Sequence, residues 1–81
     1  MKLGEAIELM KEDKRVQRSG WNGKGMFLFR VSAHAWGFET EVKGVDDFNT
    51  GPFICMKTAS DTLIPWLASQ SDALADDWQE V

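Results

Sequence analysis

Tryptophan is the residue type here whose number and setting most invite a chemical reading. Four of the 81 residues are Trp. Three stand among turn-forming and polar residues: Ser19-Gly20-Trp21-Asn22-Gly23-Lys24-Gly25, Ile64-Pro65-Trp66-Leu67-Ala68-Ser69-Gln70 and Asp76-Asp77-Trp78. An indole offers a broad flat face and one N–H donor, so at a strand end or in a loop it can act as a stacking plate. The chemistry implied is recognition of a flat, polar-edged ligand. Trp21 and Trp66 each stand at a chain reversal flanked by backbone-exposing residues. Two roles stay open for them: plates for a ligand, or caps on the two ends of the core. Trp78 reads as a core plug, and Trp36 as packing for an irregular middle segment.

Catalytic constellations are hard to assemble from the remaining residues. His34 is the single histidine and Cys55 the single thiol, and zinc-ligand spacing is absent. His34 reads as a solvated loop imidazole, and Cys55, inside Phe53-Ile54-Cys55-Met56, as a small buried hydrophobe. The pairs Asp46-Asp47 and Asp76-Asp77 are adjacent in sequence, so their side chains diverge on a strand and neither is a ready acid/base couple. They read as solvated surface charge. Gly20, Gly23 and Gly25 match neither the P-loop nor the dinucleotide-binding spacing. The residues therefore point away from an enzyme and require no metal or cofactor.

Length and charge narrow the class further. Residues 1–81 make one domain, and a chain of this size buries only roughly 60–65% of its unfolded surface. With no disulfide to help, association with further copies is the remaining route to stability. A lone cysteine suits a reducing, cytoplasmic setting. Neither an apolar signal core nor a membrane span is visible. Residues 1–40 carry a net charge of +2 and residues 41–81 a net of −6, giving −4 overall. That balance argues against binding long nucleic acid, which needs a basic footprint. Arg15, Arg18, Lys24 and Arg30 suffice for one small anionic ligand.

The elements that must position these groups are partly legible. Leu3, Ala6, Ile7 and Met10 fall on one helical stripe, predicting a helix from Leu3 to Lys11 with Gly4 at its cap. Glu12-Asp13-Lys14 ends it, and Arg15 to Ser19 is extended with Val16 inward. Asn22-Gly23 signals a tight turn, so the Gly20–Gly25 segment joins this strand to a second over Gly25–Val31, apolar enough to be covered on both faces. Phe38 to Lys43 alternates as a short half-exposed strand, inside an otherwise loop-like stretch from Ser32 to Pro52. Phe53–Lys57 and Thr62–Ile64 form another hairpin across Thr58-Ala59-Ser60-Asp61, with Pro65 ending its ladder. Ser69 or Ser71 caps a short helix over Asp72–Ala75, and Trp78–Val81 closes the sheet as an edge strand. The class is α+β: a small antiparallel sheet with an N-terminal helix and a short C-terminal helix.

Three runs carry a resemblance. Arg18-Ser19-Gly20-Trp21-Asn22-Gly23-Lys24-Gly25-Met26, Met56-Lys57-Thr58-Ala59 and Pro65-Trp66-Leu67-Ala68-Ser69-Gln70-Ser71-Asp72, followed by Leu74-Ala75-Asp76-Asp77-Trp78, closely resemble the second type of Thoeris anti-defence protein, a small phage-encoded family. The match is loosest from Ser32 to Pro52. The resemblance implies a non-enzymatic sponge that holds a cyclic ADP-ribose isomer made by a bacterial immune sensor, inside the host cell's cytoplasm. It also implies uptake of cyclic oligonucleotide signals by some members, and a homotetramer with sites between subunits. In that setting Trp21, then Trp66, would stack the adenine, and Asn22, Ser69 and Gln70 would read base edges or hydroxyls. The backbone of Gly23 and Gly25, with Lys24 or Arg18, would hold the pyrophosphate. Asp61, Asp72 or Asp76 would accept from ribose hydroxyls or the adenine amino group. The stretch His34–Gly51 would serve as a lid. The competing reading of the same residues is an acidic, aromatic-rich adaptor that presents its Trp faces to another protein. A small hydrolase of the signal is a third.

Overall fold

The computed structural model describes residues 1–21, 24–34, 41–45 and 48–81. The element order is α1 (Leu3–Lys11), β1 (Val16–Arg18), β2 (Phe27–Val31), β3 (Phe53–Lys57), β4 (Leu63–Pro65), α2 (Gln70–Leu74) and β5 (Trp78–Glu80). The strands form one antiparallel sheet of order β4-β3-β2-β1-β5. This is the α+β class expected. None of the described helices is long and apolar enough to cross a membrane.

Helix α1 occupies the predicted span, but its cap is Lys2 rather than Gly4. Glu5 Oε1 reaches back to accept the Lys2 N–H at 3.2 Å, and Gly4 lies within the first turn. The C-terminus closes with Lys14 N–H on Leu9 C=O and Asp13 N–H on Met10 C=O. Asp13 takes the left-handed conformation, φ 63°, that this closure requires and glycine usually supplies. The chain then turns directly into β1. The helix buries Ala6 and Met10 against Val16, Leu28, Met56 and Trp78, which together form the core. Burial of Met10, Leu28 and Val16 contributes ~1.5–3 kcal/mol each.

Both expected hairpins are present. Val16 pairs with Leu28 across the first and Met56 with Ile64 across the second. Pro65, expected to end the second ladder, is instead paired with Cys55, and Trp66 N–H continues to Ile54 C=O at 2.9 Å. The proline is tolerated because β4 is an edge strand and its nitrogen faces away from β3. The outer edge of β5 is covered locally: Trp78 N–H donates to Met1 C=O, and the Met1 amine donates to Trp78 C=O at 2.7 Å.

Strand β2 is not equally covered on both faces. Leu28 is buried under α1, whereas Phe27 and Phe29 on the other face are only partly buried. With Asp13, Arg15, Arg30 and Leu63 they line an open cleft of about 450 Å³. The Arg15 guanidinium stands 4.9 Å from the Phe27 ring centre, a cation–π contact that shields part of this face. The strand expected over Phe38–Lys43 falls partly outside the described residues. Its described part, 41–43, runs through a bend and a turn that leads to Gly44 at φ 83°.

Candidate functional site

Three tryptophans from distant parts of the chain meet at one end of the sheet. Trp78 opens β5 opposite Arg18 of β1 and is 1% exposed, the core plug expected. Trp21 packs edge-on against it at 5.3 Å between ring centres and 81° between planes. Trp66 does the same at 5.9 Å and 84°. Trp21 and Trp66 are only partly buried. A buried indole is thus flanked by two near-perpendicular ones, each contact contributing about 0.5–1.5 kcal/mol beyond burial. Trp21 is placed by the turn that follows β1, its N–H on Arg18 C=O at 3.2 Å, and Trp66 by the bond to Ile54 at the end of β4.

Polar groups around this platform are heavily bonded. Arg18 lies between two carboxylates, with Nε on Asp77 Oδ1 and Nη1 on Asp72 Oδ1, both at 2.8 Å. Asp77 Oδ2 also accepts the Gly20 N–H at 2.8 Å and the Ser19 hydroxyl at 3.4 Å. Asp72 Oδ1 accepts the Trp21 indole N–H at 3.3 Å, and Asp72 C=O accepts the Trp78 indole N–H at 3.0 Å. The network ties the turn after β1 to α2 and to the start of β5. Its electrostatics are those of a clamped cation. The Asp77 and then Asp72 hydrogen bonds hold Arg18 above its ordinary value. Asp77 is held below the usual carboxylate range, first by Arg18 and further by the Gly20 N–H. Burial pushes Asp72 up, but bonds from Arg18, Trp21 and Ser69 outweigh it and the carboxyl ends low.

The glycine-rich turn is anchored at both ends. A Cβ on Gly20 would stand 2.8 Å from Asp77 Oδ2, so only glycine lets the carboxylate close on that amide. At the other end Gly25, φ 75°, gives its C=O to Lys57 Nζ at 3.1 Å, and Lys57 pairs with Asp61 at 2.6 Å. Lys24, between these anchors, is exposed. Asn22 and Gly23 lie outside the described residues, as do Trp36 and much of the expected lid. Ser69, rather than Ser71, caps α2: its Oγ accepts the Asp72 N–H at 3.0 Å. Gln70, the first residue of α2, and Asp76 are exposed.

The structure therefore brings Trp21, Trp66, Arg18 and Ser69 to one end of the sheet with Asp72 and Asp77 between them. Arg18, expected at a pyrophosphate, spends two nitrogens on carboxylates. Lys24 is the exposed cation on the neighbouring turn. Asp77 was missed as a site component: it is not the solvated charge expected of an Asp-Asp pair, because only Asp76 faces solvent and Asp77 is partly buried under Arg18 and Gly20. The signal that could have found it is the excess of acid around Trp78 facing a single Arg18. Lys57 was missed too, since a cation at a strand end carries no mark of its partner 32 residues earlier. No cluster able to hold a metal ion is present among the described residues. His34 is exposed on a turn, and Cys55 is wholly buried. Two clefts, of about 450 and 170 Å³, are lined by neither Trp21 nor Trp66.

Comparison with known proteins agrees with the resemblance. Residues 1–81 match the Thoeris anti-defense 2-like domain. The chain is 42% identical over 84 residues to Thoeris anti-defense 2 of Bacillus phage SP01, covering 100% of this chain and 94% of that relative. A match over the full length, at this identity, makes the chain a member of the Thoeris anti-defense 2-like family.

Proposed function

We propose that this protein counters Thoeris defence in the host cytoplasm by sequestering, without cleaving, a cyclic ADP-ribose isomer, in sites that copies of the chain complete for one another. The observation that carries the reading is the tryptophan platform. Two partly exposed indoles are braced by a buried third, an arrangement that suits the holding of a planar base. Stacking a base on an aromatic contributes ~1–3 kcal/mol. Trp21 is the first plate and Trp66 the second. Asn22, Gln70 and the Ser69 hydroxyl supply hydrogen bonds to the base or riboses, and Lys24 with the turn amides meets the pyrophosphate. Asp76, exposed beside Asp77, is the carboxylate for a ribose or amino donor.

Exposed apolar surface near the platform in sequence favours a site completed by a second copy. Sites that enclose a ligand span ~300–1,000 Å³, and neither described cleft, of about 450 and 170 Å³, is lined by Trp21 or Trp66. Leu67 and Leu74, beside the platform in sequence, are 91% and 81% exposed, apolar surface that a second copy would cover. A homotetramer, as the resemblance implies, satisfies this with repeated equivalent sites. Other cyclic nucleotide signals are competitors for, or additions to, the same capture.

The test is direct. The pure protein is incubated with the cyclic ADP-ribose isomer, freed of unbound ligand, heat-denatured, and the released material analysed. Intact ligand supports the sponge. Altered ligand makes the protein an enzyme, and absence of ligand leaves the adaptor.

A further inference from the structure

We propose that Asp72 is a positioning residue for the ligand plate: held by Arg18, its carboxylate fixes the plane in which the Trp21 indole is presented. The inference rests on the reading of Trp21 as the stacking surface. Trp21 lies outside any strand, so the sheet ladder does not orient it. Its edge-on contact with Trp78 sets a distance and a tilt, but such contacts tolerate rotation and sliding of the ring. The bond from Trp21 Nε1 to Asp72 Oδ1 decides which edge of the indole turns inward and which face remains open.

Asp72 is well placed to do this because its N–H, its C=O and one carboxylate oxygen are all engaged. Its N–H donates to Ser69 Oγ, its Oδ1 accepts Arg18 Nη1, and its C=O accepts the Trp78 indole N–H. One residue therefore receives the indole protons of two tryptophans, through its side chain and its backbone, and so fixes one ring relative to the other. Charge balance alone does not account for it, since Asp77 already pairs with Arg18 at 2.8 Å. A plate locked in its binding orientation loses less side-chain freedom on capture, which favours slow release.

Two substitutions separate positioning from charge. Asp72→Asn keeps an oxygen that accepts from the indole and removes the ion pair. Asp72→Ala removes both. Should Asp72→Ala not fold, Asp72→Ser replaces it, because the shorter side chain does not reach the indole. The readouts are the indole N–H resonance of Trp21, assigned by its loss in Trp21→Phe, and the release rate of bound cyclic ADP-ribose isomer. Asp72→Ala is expected to move the resonance and to speed release about tenfold or more, the loss of one good hydrogen bond's worth of ordering. Asp72→Asn is expected to keep the resonance near its wild-type position and to release within about threefold of wild type. Equal acceleration in both variants overturns the proposal, as does a resonance unmoved in Asp72→Ala, or a moved resonance with unchanged release. If the wild-type protein holds no cyclic nucleotide, the sponge reading fails separately. The resonance then decides alone whether Asp72 orients Trp21.

Discussion

Replacing Trp21 by alanine separates a ligand plate from a core plug, because the structure sets the stability cost of each role apart. A fully buried Trp removes ~150–250 Å² from water. Trp21 is only partly buried, and about two-thirds of that area at ~25 cal/mol per Å² gives roughly 2.5–4 kcal/mol. A compact unfolded state lowers this to roughly 2–3 kcal/mol. The edge-on contact with Trp78 adds about 1 kcal/mol. The indole sits at the rim, where water fills the vacated space, so no cavity penalty is added. Total stability for a chain of this length is roughly 4–12 kcal/mol, so a loss of about 3–4 kcal/mol leaves Trp21→Ala folded over most of that range, with a melting temperature lower by about 12–32 °C. Capture of the cyclic ADP-ribose isomer should weaken by ~1–3 kcal/mol, about 5- to 150-fold. Thermal unfolding and equilibrium dialysis on the same sample measure both. A folded Trp21→Ala protein that binds as tightly as wild type refutes the plate. A variant that cannot fold at all returns Trp21 to the core.

Three further outcomes follow from the site. Gly20→Ala places a methyl 2.8 Å from Asp77 Oδ2, so the carboxylate must withdraw from the amide; the melting temperature should fall and the residue-20 amide should exchange with solvent faster, and unchanged stability and exchange would contradict the close approach. Asp77 and Asp72 are both held below the ordinary carboxylate value, chiefly by Arg18 in the first and by Arg18 against opposing burial in the second. Their stabilisation is complete above the unfolded-state value of about 3.9 and is lost as pH falls through the lower folded-state values. The urea midpoint should therefore hold level from neutral pH and drop in the acid limb, and Asp72→Asn with Asp77→Asn should flatten that drop. Arg18 is raised, so its charge persists throughout. Burial pushes the Cys55 thiol up, and a disulfide reagent at mildly alkaline pH should label it only at the rate of unfolding.

Periodicity and turn chemistry made most of the fold legible. The Leu3–Met10 stripe located α1 because an amphipathic helix writes its buried face every three or four residues, and the extended runs on either side of the Gly20–Gly25 segment pair as antiparallel strands, as expected. Gly4 was misjudged as the cap since glycine is only a modest cap former, while Glu5 could reach back to Lys2 from inside the helix. The missing N–H of Pro65 breaks a ladder only on the side that faces a partner, and strand order, which decides that side, is a long-range property. The platform was half legible. Trp21, Trp66 and Trp78 drew notice by type, but the packing of the first two on Trp78 depends on sheet order and on the path from β4 to α2. The same is true of Arg18, whose two carboxylate partners lie 54 and 59 residues later.

A crystal structure of the protein with the cyclic ADP-ribose isomer tests the central claim most directly. The account predicts intact ligand with its adenine on the open face of Trp21, in a cleft walled by a second copy of the chain. Ligand bound away from both Trp21 and Trp66, or those faces sealed by the protein's own packing, would contradict it.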